Sequence, residues 1–389
     1  MQLILGLTIL LLFAAYSGLI IYYGICWRRI PNSKFKIQKS KVKISIIIPA
    51  RNEEQNIRAC LDSILQQNYP ADFFEVIVVD DHSTDNTAAI VLCYETGNIK
   101  LISLKDFTNG EQINSYKKKA IETAIDKSTG ELIISTDADC IVPPNWLQSI
   151  ANFYEQTNAA LIVMPVKFIN KNSGLNIFQS LDFMTLQGIT GAAVHKKMLS
   201  MCNAANLAYS KKSFYLVDGF KGIDNIASGD DMLLMHKIFE REPDKVLYLK
   251  SPEVIVQTQA MPTLKDFFNQ RIRWASKADQ YKDKRIFWVL FLVYLVNLLL
   301  ILIPVFSLFN NIQYSIFNIQ LSIFCLWLLL LLVKTITELF FLFPVANYFG
   351  NLRLLWFFPM AQPFHIIYTV IAGWLGKFGN YQWKGRTVK

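Results

Sequence analysis

The stretch Val76-Ile77-Val78-Val79-Asp80-Asp81-His82-Ser83-Thr84-Asp85 decides how the middle of this chain is built. Four β-branched residues in a row, closed at once by two carboxylates, read as a short strand whose end opens into a polar loop. A strand with one wet face alternates; this one does not, so it is buried on both faces. The signature recurs on either side. Residues 44–48, 100–103, 132–135 and 161–164 are further strand candidates, bounded by Asp, Asn, Gly or Pro. Residues 53–67, 84–94, 116–127 and 145–154 have helical apolar spacing between them. Apolar strands alternating with helices predict an α/β domain with a mostly parallel sheet covered on both faces. Such sheets bind ligands at the carboxyl ends of their strands, and that is where the acids stand.

The chain has 389 residues, 39 Lys+Arg against 30 Asp+Glu, a net charge of +9, and 52% hydrophobic against 18% charged residues. Soluble domains carry about 25% charged residues, so the composition excludes a disordered or nucleic-acid-binding tail protein and predicts apolar segments beside a soluble domain. Residues 1–27 hold no charged side chain and precede Arg28 and Arg29. With no basic n-region and no small-x-small cleavage site, they read as an N-terminal transmembrane helix rather than a signal peptide. Residues 28–42 form a basic juxtamembrane linker. Counting Lys43, Arg28, Arg29, Lys34, Lys36, Lys39, Lys41 and Lys43 make seven basic residues with no acid. The positive-inside rule then puts the N-terminus outside and the domain at 43–250 in the cytoplasm, and the same stretch suits membrane lipid headgroups.

Beyond an interface segment at 251–285, residues 286–376 read as a C-terminal transmembrane region. Residues 286–333 form an uncharged hairpin broken near Asn310-Asn311, with Lys282, Lys284 and Arg285 at its start and Lys334 at its end. A further uncharged run at 354–376, interrupted by Pro359 and Pro363, is either another span or a re-entrant pair with 340–349. The tail, 377–389, is basic (Lys377, Lys384, Arg386, Lys389), which favours the inside. The six cysteines are scattered without a CxxC pair, as expected of reduced thiols facing the cytosol. The expectation is a multi-pass integral protein of a bacterial-type plasma membrane.

Several groups of residues carry chemistry. Asp80 and Asp81 end the second strand, with Ser83 and Asp85 placed as helix N-caps. Asp137-Ala138-Asp139 end the fourth. Two carboxylates one residue apart at an apolar strand end can converge on a divalent cation, and Mg²⁺ usually takes one or two carboxylates plus phosphate oxygens. There is no GxxxxGK[ST] and no GxGxxG after the first strand. A diphosphate bound here must therefore be held by metal and cationic side chains. Lys117-Lys118-Lys119 open a helix near the fourth strand, either as a solvated face or, for Lys117, as a nucleotide ligand. Ser228-Gly229-Asp230-Asp231 precede the apolar stretch 232–239. Acids at a helix start suit its dipole, and an adjacent pair also suits a general base. Gln270-Arg271-Ile272-Arg273-Trp274 precede the second membrane block. They serve either as interface anchors or as paired guanidinium groups for a diphosphate with an indole platform for a sugar.

Taken together, Ser45 to Ala50 with Arg51-Asn52-Glu53-Glu54, Val78 to Thr84, the DxD, Asp230-Asp231 and the QxxRW string follow the order seen in membrane family 2 glycosyltransferases. The chain resembles the QxxRW class: cellulose, hyaluronan and poly-N-acetylglucosamine synthases and ceramide glucosyltransferases. The resemblance covers about residues 43–274 and implies a GT-A fold. It assigns Pro49, Ala50, Glu53 and Asp81 to the nucleotide base and ribose, and Asp137 and Asp139 to Mg²⁺ or Mn²⁺ on the donor diphosphate. Asp231, with Asp230 beside it, becomes the catalytic base, although the family's Thr and Glu are replaced here. Arg273 goes to the diphosphate, and Trp274 and Gln270 to the acceptor. Trp383-Lys384-Gly385-Arg386 resembles C-terminal motifs of some relatives. The implied activity is metal-dependent, inverting transfer from a nucleotide-sugar, a UDP-sugar, to a membrane-associated lipid or growing polysaccharide. The bond formed is β, and a polymer product would call for an export partner subunit. The competing expectation is a membrane transport or scaffold protein with a non-catalytic domain of this type.

Overall fold

The computed structural model describes residues 2–33, 40–94, 97–108, 114–199, 201–226, 229–277, 283–309, 313–316, 319–379, 381–383 and 386–388. Lys34, Lys36, Lys39, Ser228, Lys282, Asn310-Asn311, Lys384, Gly385 and Lys389, singled out above, lie outside them. In chain order the elements are α1 (Gln2–Arg29), β1 (Ile44–Ala50), α2 (Ile57–Leu65), β2 (Phe74–Asp80), α3 (Thr87–Leu92), β3 (Ile99–Ser103), α4 (Lys105–Thr108), α5 (Tyr116–Lys127), β4 (Leu132–Ser135) and α6 (Trp146–Thr157). They continue as β5 (Leu161–Val163), β6 (Val166–Phe168), α7 (Gly174–His195), β7 (Leu207–Ser210), α8 (Lys211–Leu216), α9 (Met232–Arg241), β8 (Val246–Tyr248) and β9 (Val256–Thr258). Then come α10 (Leu264–Ala275), α11 (Lys284–Phe309), α12 (Ile323–Phe349) and α13 (Phe358–Phe378). Two compact units result: a sheet unit of Ile30–Ile169 and Ala193–Ala260, and a helical unit of Met1–Arg29, Asn170–Ala192 and Met261–Lys389.

The sheet unit is built on seven strands in the order β3-β2-β1-β4-β7-β5-β8. β1 is parallel to both β2 and β4, β2 to β3, and β5 to β8, while β7 alone runs antiparallel between β4 and β5. Every residue of β2 is buried, as the unbroken apolar run predicts, and in β1 only Pro49 is partly open. Register pairs Ala50 with Asp80 and Ile47 with Ser135, so the carboxyl ends of β1, β2 and β4 share one edge. A second parallel ladder joins β6 to β9, and a bridge ties Gln257 of β9 to Ile141, just past the DxD. One acid lies inside the apolar strands. Glu75 accepts from the Ser45 hydroxyl at 2.7 Å, the Thr129 hydroxyl at 2.8 Å and Lys100 Nζ at 2.9 Å. Burial alone would raise its pKa; these bonds and the Thr129 amide hold it down to about 2.

In the helical unit, α1, α11, α12 and the segment Leu352–Phe378 are long and apolar enough to cross a membrane. The second helix of the expected hairpin does not end at Lys334. α12 runs on to Phe349, because Lys334 is fully buried and its ammonium sits 2.8 Å from Glu338 one turn later, so the charge is matched inside the bundle. Residues 340–349 are thus the last turns of α12, closed by Gly350 with φ +71°. That left-handed position is one glycine takes without strain. Pro359 falls in the first turn of α13, where its missing N–H is not needed.

Candidate active site

The shared edge of β1, β2 and β4 gathers the polar loops. Asn52 and His82 both adopt left-handed backbone, φ +53° and +56°, which turns the loops after β1 and β2 toward each other. They are laced together: Asn52 N donates to Ser83 Oγ at 3.0 Å, Thr84 N to Asn52 Oδ1 at 2.8 Å, Glu53 N to Thr87 Oγ1 at 2.7 Å, and Glu54 N to Asp85 Oδ2 at 3.1 Å. Ser83 therefore serves the neighbouring loop rather than capping a helix. Asp85 accepts from Thr87 N at the start of α3. Burial would raise its pKa, but the bonds from Thr87 and Glu54 win and lower it. Asp81 is 3% exposed, and its carboxylate faces His82 Nδ1 at 3.0 Å and Arg51 Nη1 at 3.7 Å. Pro49 and Ala50 lie directly before this lacing, and Glu53 within it holds Asn56 Nδ2 at 2.9 Å.

Next along the edge, β4 ends in Ser135, and Asp137 and Asp139 follow, both partly open. Lys117, in the first turn of α5, places its ammonium 2.9 Å from Asp137 Oδ1 and 3.3 Å from Asp230 Oδ2. Burial alone would lower the Lys117 pKa. The carboxylates of Asp137, Asp230 and Asp231 outweigh it and hold the ammonium well above the usual lysine range. Lys118, 2% exposed, donates to the Ile223 carbonyl at 2.8 Å and to that of Ile226, fixing the segment that leads to Gly229-Asp230-Asp231. The solvated-face reading is wrong for these two lysines and holds for Lys119, which is partly exposed and pairs with Glu122 at 3.4 Å. Asp231 caps α9: its Oδ1 accepts from Met232 N at 2.7 Å and its Oδ2 from Ala204 N at 3.2 Å. The same short segment accepts from Thr136 Oγ1 through the Ala205 carbonyl at 2.9 Å, so the ends of β4 and α9 are braced through residues 204–206. The sequence reading missed this brace and Thr258, whose hydroxyl donates to Asp139 Oδ2 at 2.9 Å. A β-branched run at 254–256 was the only signal for β9.

Among the described residues no group of three or more carboxylate, imidazole and thiol side chains forms a closed metal cage. Asp137 and Asp139 supply two hard oxygen donors, the number Mg²⁺ or Mn²⁺ takes when phosphate oxygens complete the shell. The ammonium held between Asp137 and Asp230 marks a place where the fold already calls for a cation, so these residues fit a divalent metal.

The QxxRW residues lie on α10 in the helical unit. Arg271 corrects the expectation of a paired guanidinium clamp. It is 4% exposed, donates a hydrogen bond from Nε to Asp182 Oδ2 at 2.9 Å and holds Nη2 2.7 Å from the same oxygen as an ion pair, because a buried charge needs a partner. Its Nη1 also donates to Gln270 Oε1 at 2.6 Å. Its guanidinium lies 4.2 Å from the Trp274 ring centroid and occupies that indole face. Arg273 and Trp274 are partly exposed.

Known proteins match this arrangement. The profile described as "Glycosyl transferase family 2" matches residues 45–216, and that of "Glycosyl transferase family group 2" matches residues 132–352, more than half of the chain. The poly-beta-1,6-N-acetyl-D-glucosamine synthase of Staphylococcus epidermidis is 24% identical over 245 residues, 60% of this chain and 53% of that protein. The Escherichia coli UDP-Glc:alpha-D-GlcNAc-diphosphoundecaprenol beta-1,3-glucosyltransferase WfgD is 31% identical over 162 residues, 41% of this chain and 56% of that protein. The match thus spans a little over half the length of each of these relatives. The mannosyltransferase PcManGT of Pyrobaculum calidifontis, solved with GDP-Man and Mn²⁺, has the same fold, with a TM-score of 0.56 at 17% identity over 95% of this chain and 97% of that one. The first profile runs from β1 through β7 and the second from β4 through β8 over more than half of the chain; with the mostly parallel sheet and its acidic edge, they make the chain a member of glycosyltransferase family 2.

Proposed function

We propose that the chain transfers a sugar from a nucleotide-sugar, a UDP-sugar, to a hydroxyl of a membrane-associated acceptor, with inversion to a β-linkage. The observation that carries this reading is the Lys117 ammonium held between Asp137 after β4 and Asp230 before α9. One cationic centre joins the two carboxylate groups that a displacement at an anomeric carbon requires, one for the leaving diphosphate and one for the incoming hydroxyl.

Asp137 and Asp139 would hold the divalent metal, which when bound neutralises charge on the donor diphosphate. Lys117 reaches the same diphosphate, Pro49, Ala50, Glu53 and Asp81 border the base and ribose, and Arg273 completes the diphosphate contacts. Asp231, oriented by the Met232 and Ala204 amides, takes the proton of the acceptor hydroxyl. The oxygen attacks the anomeric carbon from the face opposite the diphosphate, whose bond to that carbon breaks with its electron pair. Asp230 is occupied with Lys117, which leaves Asp231 as the base. Gln270 and Trp274 belong to the acceptor, with the Trp274 ring oriented by Arg271 and Phe183. The names of the two relatives describe a polysaccharide product for one and a lipid-linked acceptor for the other. Both fit a chain with four membrane-length helices among its described residues, and a polymer product would bring in an export partner subunit. The basic residues Arg28, Arg29, Lys41 and Lys43 favour a cytoplasmic sheet unit in a bacterial-type plasma membrane.

The test is nucleoside diphosphate release by detergent-solubilised protein over a panel of UDP- and GDP-sugars, with Mg²⁺, Mn²⁺ or EDTA and an added lipid extract. Release from one UDP-sugar, abolished by EDTA and by Asp139→Asn, is expected. Metal-independent release, or full activity in Asp139→Asn, refutes the reading.

A further inference from the structure

The helical unit buries two ion pairs, one of them on α12, a helix long and apolar enough to cross a bilayer, and the other between α10 and α7. Lys334 Nζ lies 2.8 Å from Glu338 Oε1 and donates to Gln362 Oε1 at 2.8 Å, while Gln362 Nε2 donates to Glu338 Oε2 at 2.6 Å and the Tyr16 hydroxyl to Glu338 Oε1. Arg271 is likewise matched to Asp182, whose other oxygen accepts from the Tyr368 hydroxyl. Each cation has its own carboxylate, so the four charges sum to zero. Ionisable groups at such depth are costly, and they mark a bundle interior, a pathway or a binding site.

A cavity of about 30 Å³ is lined by Asp182, Thr185, Glu338, Gln362 and His365, and otherwise by apolar side chains of α7 and α13 such as Phe178. His365 turns Nε2 toward Asp182 Oδ1 at 3.9 Å. Its Nδ1 is buried and, among the described residues, has no hydrogen-bond partner. Buried polar atoms in folded proteins nearly always have one. The volume exceeds the ~10–15 Å³ a single water needs, enough for a hydroxyl on its carbon.

Charge decides what that partner is. Neither Lys334 nor Arg271 lines the cavity, and both are already matched, whereas two carboxylates do line it. Among the lining side chains a phosphate would find two carboxylates and no lysine or arginine to pair with. A hydroxyl donates and accepts at once, so it satisfies His365 Nδ1 in either tautomer. The apolar walls, Phe178 and Leu181 of α7 with Phe358 and Ala361 of α13, a helix of membrane length, require the rest of the molecule to be apolar. We propose that this cavity binds the hydroxyl group of an uncharged membrane lipid alcohol. The site stands apart from the catalytic reading, since binding rather than turnover tests it.

The experiment uses the full chain in phosphatidylcholine nanodiscs with a diacylglycerol carrying a photoactivatable group in one acyl chain. Crosslinks are mapped by mass spectrometry. Labelling of α7 and α13 peptides is expected, competed by unlabelled diacylglycerol but not by phosphatidic acid of the same chains or by glucose. His365→Phe fills the cavity and removes the nitrogen, and labelling should fall by about tenfold, the equivalent of one hydrogen bond to a buried group. Thr185→Leu fills the same space from α7 and should act alike. Melting curves confirm that each variant is folded. Equal competition by phosphatidic acid overturns the uncharged ligand, competition by glucose overturns the lipid, and unchanged labelling in both folded variants overturns the site.

Discussion

Replacing Lys117 with methionine removes the protein's own cation from the carboxylates we assign to a metal. In the structure Nζ stands 2.9 Å from Asp137 and 3.3 Å from Asp230. A hydrogen bond to a charged group contributes about 1.5–3 kcal/mol. The Asp137 side chain is 35% exposed, so solvent screening brings the Asp137 share to about 1.4 kcal/mol or a little less. A divalent ion entering the free enzyme must displace that contact. Without it, Mn²⁺ should bind the nucleotide-free protein up to about tenfold more tightly. Donor binding should move the other way by a similar factor, because the diphosphate loses a cation. Titration of free Mn²⁺ by electron paramagnetic resonance measures the first, and displacement of a fluorescent UDP analogue measures the second. Lys119→Met, which removes only the exposed contact to Glu122, is the control and should change neither. If Mn²⁺ binds Lys117→Met no more tightly than wild type, the shared-carboxylate argument fails.

Three further outcomes are expected. Asp231→Asn keeps an oxygen for the Met232 amide at the start of α9, so the fold and donor binding should persist while kcat falls by roughly 10²–10⁴ in a sugar-transfer assay; loss of donor binding instead would make Asp231 structural. The Glu75 carboxyl, held at about 2 against an ordinary 4.5, is worth about 3 kcal/mol to the fold. Because its pKa is depressed, that stability is complete above pH 4.5 and is lost as pH falls toward 2. The melting-temperature gap between wild type and Glu75→Gln should therefore shrink over that range, and a gap independent of pH refutes the assignment. Arg271→Leu leaves Asp182 buried without its cation and should destabilise the chain by about 3–5 kcal/mol, with Arg271→Leu/Asp182→Leu recovering most of it. A double variant no more stable than the single one would show that packing, not charge, is responsible.

What the residues revealed in advance divides along physical lines. β1, β2 and β4 were legible because strands buried on both faces are written as unbroken apolar runs, and β5 through the aliphatic run 161–164 around it. β6, β8 and β9 are as short as β5, three residues each, and none lies in an aliphatic run of four. α7 escaped notice because Asn176, Gln179, Asp182 and Gln187 are all buried in it, and polar residues inside a helix erase its apolar stripe. The clusters at the ends of β2 and β4 could be placed from strand logic alone. That Lys118 is buried and Lys117 held between carboxylates could not, since their carbonyl and carboxylate partners lie as far off as Ile226 and Asp230. Arg271 likewise gave no sign that it belongs to Asp182.

The place of β7 in the sheet also bears on how the chain is made. Among the described residues β5 has β7 and β8 as its sheet neighbours, and both are synthesised after it. When β5 leaves the ribosome neither native neighbour exists, and β4 presents an open edge until Leu207–Ser210 arrive. The whole of α7 is translated in that interval, with α12 and α13 still to come. At ~5–20 residues per second the wait lasts several seconds. Nascent chains halted before Leu207 should therefore hold β5 without either neighbour and be caught by holding chaperones or proteases, whereas chains halted far enough past Tyr248 for β7 and β8 to have left the ribosome should not.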